Sequence, residues 1–68
     1  MKSYEERVVI EKQELDEKRD KLRAVCFDPE NAVYKSLSRE DLLLLMEQWI
    51  IMNNYSDILG KRIARFVA

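Results

Sequence analysis

Apolar residues in the C-terminal half of this chain recur at steps of three and four, or of seven. This repeat is typical of a helix that packs along one seam, as in a coiled coil. The only polar residue in register is Ser56, and the pattern predicts a long helix from about residue 38 to 66. The apolar members of the seam are Leu42, Leu45, Trp49, Met52, Leu59, Ile63 and Phe66.

A second apolar stripe runs beside this seam. It contains Leu44, Ile51 and Ile58, with Leu43 and Ile50 flanking it. Well over half of the helix circumference is therefore apolar, and a single neighbouring helix cannot cover it. Since large exposed apolar patches usually mark interfaces, we expect self-association. The predicted oligomer interface contains Leu44, Ile51, Tyr55 and Ile58.

The N-terminal half predicts a helix over residues 3–27 with a narrower apolar ridge. Val8, Leu15 and Leu22 provide about one large hydrophobic side chain per heptad. The intervening stretch, residues 11–21, is rich in Glu, Asp, Lys and Arg, as expected for a solvated helix face. This ridge is suited to one seam of the second helix and leaves the other stripe uncovered.

Residues 28–37 connect the two helices. Pro29 disfavours helical geometry at Asp28 and so ends the first helix. Asp28 as N-cap and Pro29 as first helical residue can start a short helix that reaches about Lys35. Ser38 is a second candidate N-cap, at the start of the long helix.

These elements predict an all-α fold with one domain over residues 1–68. Two long helices with a short connection should pack antiparallel as a helical hairpin, with a short helix or turn between them. The surplus apolar stripe predicts that hairpins assemble into a homo-oligomeric bundle, either a dimer or a higher symmetric oligomer. Asn53 and Asn54 either fix the register between subunits or lie exposed.

Composition narrows the function classes. The 68 residues are 47% hydrophobic and 37% charged, with no histidine, one glycine and a lone cysteine, Cys26. Without histidine, a glycine-rich phosphate loop or a convergent carboxylate pair, we expect no catalysis, metal or cofactor. No apolar run approaches the roughly 20 residues of a membrane span. The charged N-terminus is unlike a secretory signal, and a net charge of −1 argues against nucleic-acid binding.

Two basic groups offer candidate chemistry. Lys12, Arg19 and Arg23 lie roughly along one stripe of the first helix, and Lys61, Arg62 and Arg65 crowd the end of the second. Aromatic residues lie near both, including Tyr4 and Phe66. A cation beside an aromatic ring suits a phosphorylated, planar ligand. The alternative is that these residues are solubilising charges and a hydrophobic cap.

Taken together, three sequence features resemble small helical-hairpin proteins of bacteriophages and prophages. They are the charged start at residues 4–12, the Leu15/Leu22 ridge, and the stretch from Leu44 through residues 55–59 to residues 62–66. That group includes oligomeric sponges that bind cyclic nucleotide signals and blunt CBASS and Thoeris immunity. The resemblance implies sequestration in the host cytoplasm.

Site residues follow from the same resemblance. In such sponges an N-terminal aromatic residue and basic residues contact the ligand, and the comparable positions are Tyr4, Arg7, Lys12 and Arg19. The implied ligand is a cyclic dinucleotide or a cyclic ADP-ribose-type molecule. The rival hypothesis is a homo-oligomeric helical adaptor that binds and inhibits a host protein through its apolar stripe.

Overall fold

A computed structural model describes residues 3–66, and all of its regular secondary structure in that range is helical. The order is a long helix α1 (Ser3–Phe27), a short helix α2 (Ala32–Ser36) and a second long helix α3 (Arg39–Ala64). The all-α architecture predicted from the sequence is therefore confirmed. α3 ends two residues before the predicted boundary, because Arg65 forms its C-cap.

The two long helices pack against each other in antiparallel orientation. Tyr4 lies against Phe66 at one end of the hairpin, and Phe27 lies against Trp49 towards the other. The result is a rod of 47 × 16 × 14 Å. Its radius of gyration is 15.0 Å, compared with about 11 Å for a compact domain of this length.

The predicted N-cap of α3 is confirmed. The Ser38 side chain accepts a hydrogen bond from the backbone N–H of Asp41 at 3.2 Å, which satisfies one of the free donors of the first turn. Glu40 and Asp41 add negative charge at the positive end of the helix dipole.

The predicted start of the short helix is wrong. α2 begins at Ala32 and not at Pro29, and its N-cap is Asn31. The Asn31 side chain accepts from the N–H groups of Val33 and Tyr34 at 2.8 and 3.4 Å. Asp28 instead accepts from the N–H of Glu30 at 3.0 Å, which closes a turn around Pro29. Asp28 therefore stabilises the turn, and the capping passes to Asn31.

The interior of the hairpin is a thin seam between α1 and α3. Val8, Cys26 and Leu59 are its buried apolar residues, and Glu5 and Ser56 are buried polar ones. The seam predicted on α3 is confirmed, because each of its members is buried or half-buried while the second stripe faces away from α1.

Candidate functional site

A polar cluster crosses the middle of the hairpin. Ser56, only 1% exposed, lies opposite Lys12 and Asp16 of α1. The Lys12 ammonium donates to Asp16 Oδ2 at 2.7 Å and to Ser56 Oγ at 2.9 Å. The Ser56 hydroxyl in turn donates to Asp16 Oδ1. We call these three residues, with Arg19 beside them, the Lys12–Ser56 cluster.

The electrostatics of this cluster favour an ionised Asp16. The Lys12 hydrogen bond lowers the pKa of the Asp16 carboxyl most, and the Ser56 hydrogen bond lowers it further. Arg19 contributes through Nη1, which is 3.3 Å from Asp16 Oδ1. Since Arg19 also contacts Asp20 at 3.2 Å, both of its neighbouring acids hold its guanidinium close to α1.

Gly60 lies beside the Lys12 side chain. It lies one helical turn after Ser56 on α3, and a Cβ placed on it would be 3.4 Å from Lys12 Cε. The Lys12 stem therefore passes over a helix surface made of two small residues.

Two of the predicted ligand residues, Lys12 and Arg19, belong to this cluster. Both are half-buried and already contact Asp16. A phosphate bound to them must compete with a carboxylate at short range. The structure thus brings these two residues together and separates them from Tyr4 and Arg7.

Tyr4 and Arg7 lie near the open end of the hairpin, where the N-terminus of α1 meets the C-terminus of α3. The rings of Tyr4 and Phe66 are 6.0 Å apart in an edge-to-face arrangement, and Tyr4 remains 55% exposed. Arg62 and Arg65, both exposed, lie in the same part of α3. An exposed ring with cations nearby is suited to stack a planar group and to attract an anion.

Arg7 also lines a shallow surface depression on α1. The other residues of this depression are Val8, Ile10, Glu11 and Glu14. Two carboxylates beside one guanidinium make the depression itself a poor site for an anion.

A second groove lies between the helices, nearer the connection. It is lined by Lys18, Lys21, Leu22, Val25, Gln48 and Met52. Two lysines above an apolar floor, with no acid in the lining, are better suited to an anionic ligand than the depression beside Arg7. The sequence assigned both lysines to a solvated charged run, and only the position of α3 reveals the groove.

The predicted interface residues lie exposed on α3. Leu44, Ile51 and Ile58 are 63%, 65% and 54% exposed. Tyr55 lies at the edge of this face, and its hydroxyl donates to Glu11, a bond that raises the pKa of the phenol. α1 therefore leaves the second stripe uncovered, as the sequence pattern indicated.

The end of the hairpin next to residues 28–37 is apolar. Phe27 and Trp49 pack edge to face at 5.1 Å, and the indole N–H of Trp49 is buried with no acceptor among residues 3–66. Burial raises the pKa of the Cys26 thiol, which favours its unreactive protonated form. Within the described range, no group of acidic or cysteine side chains is placed to hold a metal ion.

The helices also lack a membrane-spanning stretch, since none in residues 3–66 is both long enough and apolar enough.

Comparison with known proteins gives one family. The family model described as Sequestin matches residues 2–65. No curated protein and no solved structure matches the chain.

Proposed function

The chain belongs to the Sequestin family, and from this premise we propose that it is a phage-encoded, homo-oligomeric protein that sequesters cyclic nucleotide immune signals without converting them. The family name denotes sequestration, which is a binding role. The host cytoplasm, where such signals act, is the proposed place of action. The ligand is proposed to be a cyclic dinucleotide or a cyclic ADP-ribose-type molecule.

The observation that carries this proposal is the exposed Tyr4 ring, which packs edge to face against the half-buried Phe66 at the open end. Tyr4 offers more than half of its surface to solvent while its ring is fixed against Phe66. Arg7 follows one helical turn after Tyr4. Such an arrangement supplies a stacking surface for a base and a cation for a phosphate.

Lys12 and Arg19 have a different place in the proposal. They follow Tyr4 by 8 and 15 residues, roughly 12 and 22 Å along α1 at about 1.5 Å per residue. One mononucleotide cannot contact both Tyr4 and Arg19 of the same chain. We therefore assign direct ligand contact to Tyr4 and Arg7. We assign Lys12 and Arg19 to a phosphate group of the ligand that either displaces Asp16 or belongs to a ligand bound to another subunit.

A thermal-shift panel tests the site. Cyclic dinucleotides and cyclic ADP-ribose isomers are expected to raise the melting temperature, and Tyr4→Ala or Arg7→Ala to abolish the shift. Lys35→Ala is the matched control, because Lys35 lies in α2 at the far end of the hairpin and its exposed ammonium lies 3.5 Å from Glu30. It should leave the shift intact.

Two results would count against this assignment. If no nucleotide in the panel moves the melting temperature, the sequestration proposal fails. If the shift survives both substitutions but is lost in Lys18→Ala or Lys21→Ala, the ligand binds in the groove between the helices and not at the open end.

The second candidate function is a host-protein adaptor, which the exposed stripe on α3 favours. A partner helix laid on Leu44, Ile51 and Ile58 would gain apolar burial at each turn. Oligomeric state separates the two candidates. A stable homo-oligomer that covers this stripe supports the sponge, whereas a stripe that stays open, in a monomer or in an oligomer joined through another surface, supports the adaptor.

A further inference from the structure

The side of α3 that faces away from α1 has an ordered arrangement of apolar and charged residues. Its apolar members are Leu43, Leu44, Ile50, Ile51 and Ile58, each at least 50% exposed. Between them runs a row of exposed polar residues at seven-residue spacing, Glu40, Glu47, Asn54 and Lys61. We call this surface the outer face of α3.

The elongated hairpin exposes more surface than a compact monomer of its mass. The chain exposes 5391 Å², whereas a compact monomer of 8.2 kDa exposes about 4500 Å². The excess is close to the roughly 800 Å² that each partner buries in a standard interface. The outer face is the part of the described chain where large aliphatic side chains are concentrated in the open.

The order of charges along the polar row favours one orientation. Both acids, Glu40 and Glu47, lie in the N-terminal half of α3, and Lys61 lies near its C-terminus. Two parallel copies would place each acid beside its own duplicate, which is repulsive. Two antiparallel copies place acids near the partner's lysine.

From this arrangement we infer that two copies pair through the outer face of α3, antiparallel, about a two-fold axis that passes between Ile50 and Ile51. In this register Ile50 meets the partner's Ile51, and Leu43 meets the partner's Ile58. Glu40 meets the partner's Lys61, and Glu47 meets the partner's Asn54. Four apolar layers form, and each half of the polar row finds a compatible partner.

A register centred on Asn54 is worse. If the axis passed through Asn54, Glu47 would meet the partner's Lys61. However, Ile51 would then meet the partner's Asp57, and Leu43 would meet the partner's Arg65. Each copy would then place two aliphatic side chains against a charge, compared with one, Leu44 against the partner's Asp57, in the proposed register. Such contacts are costly when both groups are removed from water.

This inference deepens the self-association in the proposed function, and it does not depend on the ligand. In the proposed pair, the open end with Tyr4 and Phe66 lies away from the two-fold axis. Failure of the pairing and failure of nucleotide binding are therefore separate results. The first is read from cross-links and mass, and the second from the thermal-shift panel.

Disulfide cross-linking tests the register. Glu47→Cys and Asn54→Cys proteins are prepared separately, mixed, allowed to exchange subunits and oxidised. A disulfide needs Cα atoms within about 7 Å, which the proposed pairing of residue 47 with residue 54 of the partner supplies. Each variant alone should cross-link poorly, because its two cysteines lie about 10 Å apart along the axis at about 1.5 Å per residue.

The expected result is a cross-linked dimer that is abundant in the mixture and scarce in either variant alone. Efficient cross-linking of Asn54→Cys by itself would overturn the inference, since it would show a parallel pair or the register centred on Asn54. The oxidised unsubstituted protein is the control, because its only cysteine, Cys26, is buried.

Mass measurement tests the pairing itself. Sedimentation of the unsubstituted protein should give at least twice 8.2 kDa, and Ile51→Glu should give the monomer mass while retaining its helical circular dichroism. A monomeric unsubstituted protein would overturn the inference in favour of a different partner. Retained association in Ile51→Glu would also overturn it, because the pairing surface must then lie elsewhere.

Discussion

Ser56 interrupts an otherwise apolar seam, and its partners explain why. The residue is buried and holds both a cation and an anion of α1 through one hydroxyl. Because Lys12 and Asp16 are half-buried, the pair gains from reduced screening without the full cost of burying two charges. The cluster therefore fixes how α1 and α3 are aligned along their length, as a polar residue does in a coiled coil.

Only part of this cluster could be read from the sequence. The polar residue in the apolar register was visible, but its partners lie 40 and 44 positions away. Lys12 and Arg19 appeared to be free cations available to a ligand, since their distance from Asp16 depends on side-chain conformation. Pattern and spacing report which face a residue occupies, and they do not report which charge it meets there.

The Asp16→Asn substitution tests the electrostatic role of the cluster. The pKa of Asp16 is lowered from 3.8 in the folded chain. Its stabilising effect is therefore complete above this ordinary value and is lost as pH falls through the lower folded pKa. At neutral pH we expect Asp16→Asn to cost about 1.5 kcal/mol, the low end of the range for hydrogen bonds to a charged group, because Asp16 is only half-buried. Urea unfolding at a series of pH values measures both quantities.

The acid side of that profile provides the internal check. The unsubstituted protein should lose stability more steeply below about pH 4 than Asp16→Asn does, so the two curves converge. Parallel curves would show that the Asp16 carboxylate is not stabilised by Lys12. Asp20→Asn is the matched control, since Asp20 is exposed and its carboxylate pairs with Arg19.

At the scale of helices, the long elements followed from the sequence and the short one did not. The three- and four-residue repeat predicted which side of α3 faces α1, and Ser38 predicted where α3 begins. The start of α2 was wrong because Asp28 and Asn31 are both good caps, and choosing between them requires the turn geometry around Pro29.

Gly60 is the position in α3 where we expect a substitution to raise the free energy of unfolding. A glycine within a helix costs about 1 kcal/mol relative to alanine. An alanine Cβ would meet only the flexible Lys12 stem, at a normal contact distance of 3.4 Å. Gly60→Ala should therefore raise the free energy of unfolding by up to about 1 kcal/mol, as measured by urea titration.

A pair of substitutions at Gln48 calibrates that effect. Gln48 is exposed on α3, so the difference between Gln48→Ala and Gln48→Gly reports helix propensity alone. If Gly60→Ala lowers the free energy of unfolding while Gln48→Ala is more stable than Gln48→Gly, the prediction for Gly60 is wrong. That result would mean that Lys12 cannot shift without breaking its bonds to Asp16 and Ser56.

At the scale of the whole molecule, the hairpin has three distinct surfaces. The seam joins α1 to α3, the outer face of α3 exposes the apolar stripe on which we propose that a second copy packs, and the open end carries the exposed Tyr4 ring. The apolar surplus predicted that α1 leaves one stripe of α3 uncovered, and the exposure of that stripe confirms this part of the prediction. The groove beside Lys18 and Lys21 was not predicted, because it forms only where α3 crosses α1.

We propose that this member of the Sequestin family removes a cyclic nucleotide from solution and leaves it chemically intact. The decisive experiment is equilibrium dialysis against the nucleotide that gives the largest thermal shift, followed by heat denaturation and mass spectrometry of the released ligand. Free nucleotide should fall in proportion to the protein added, and the full amount should be recovered unchanged. Recovery of a converted product, or no depletion at any protein concentration, would show that the proposed function is wrong.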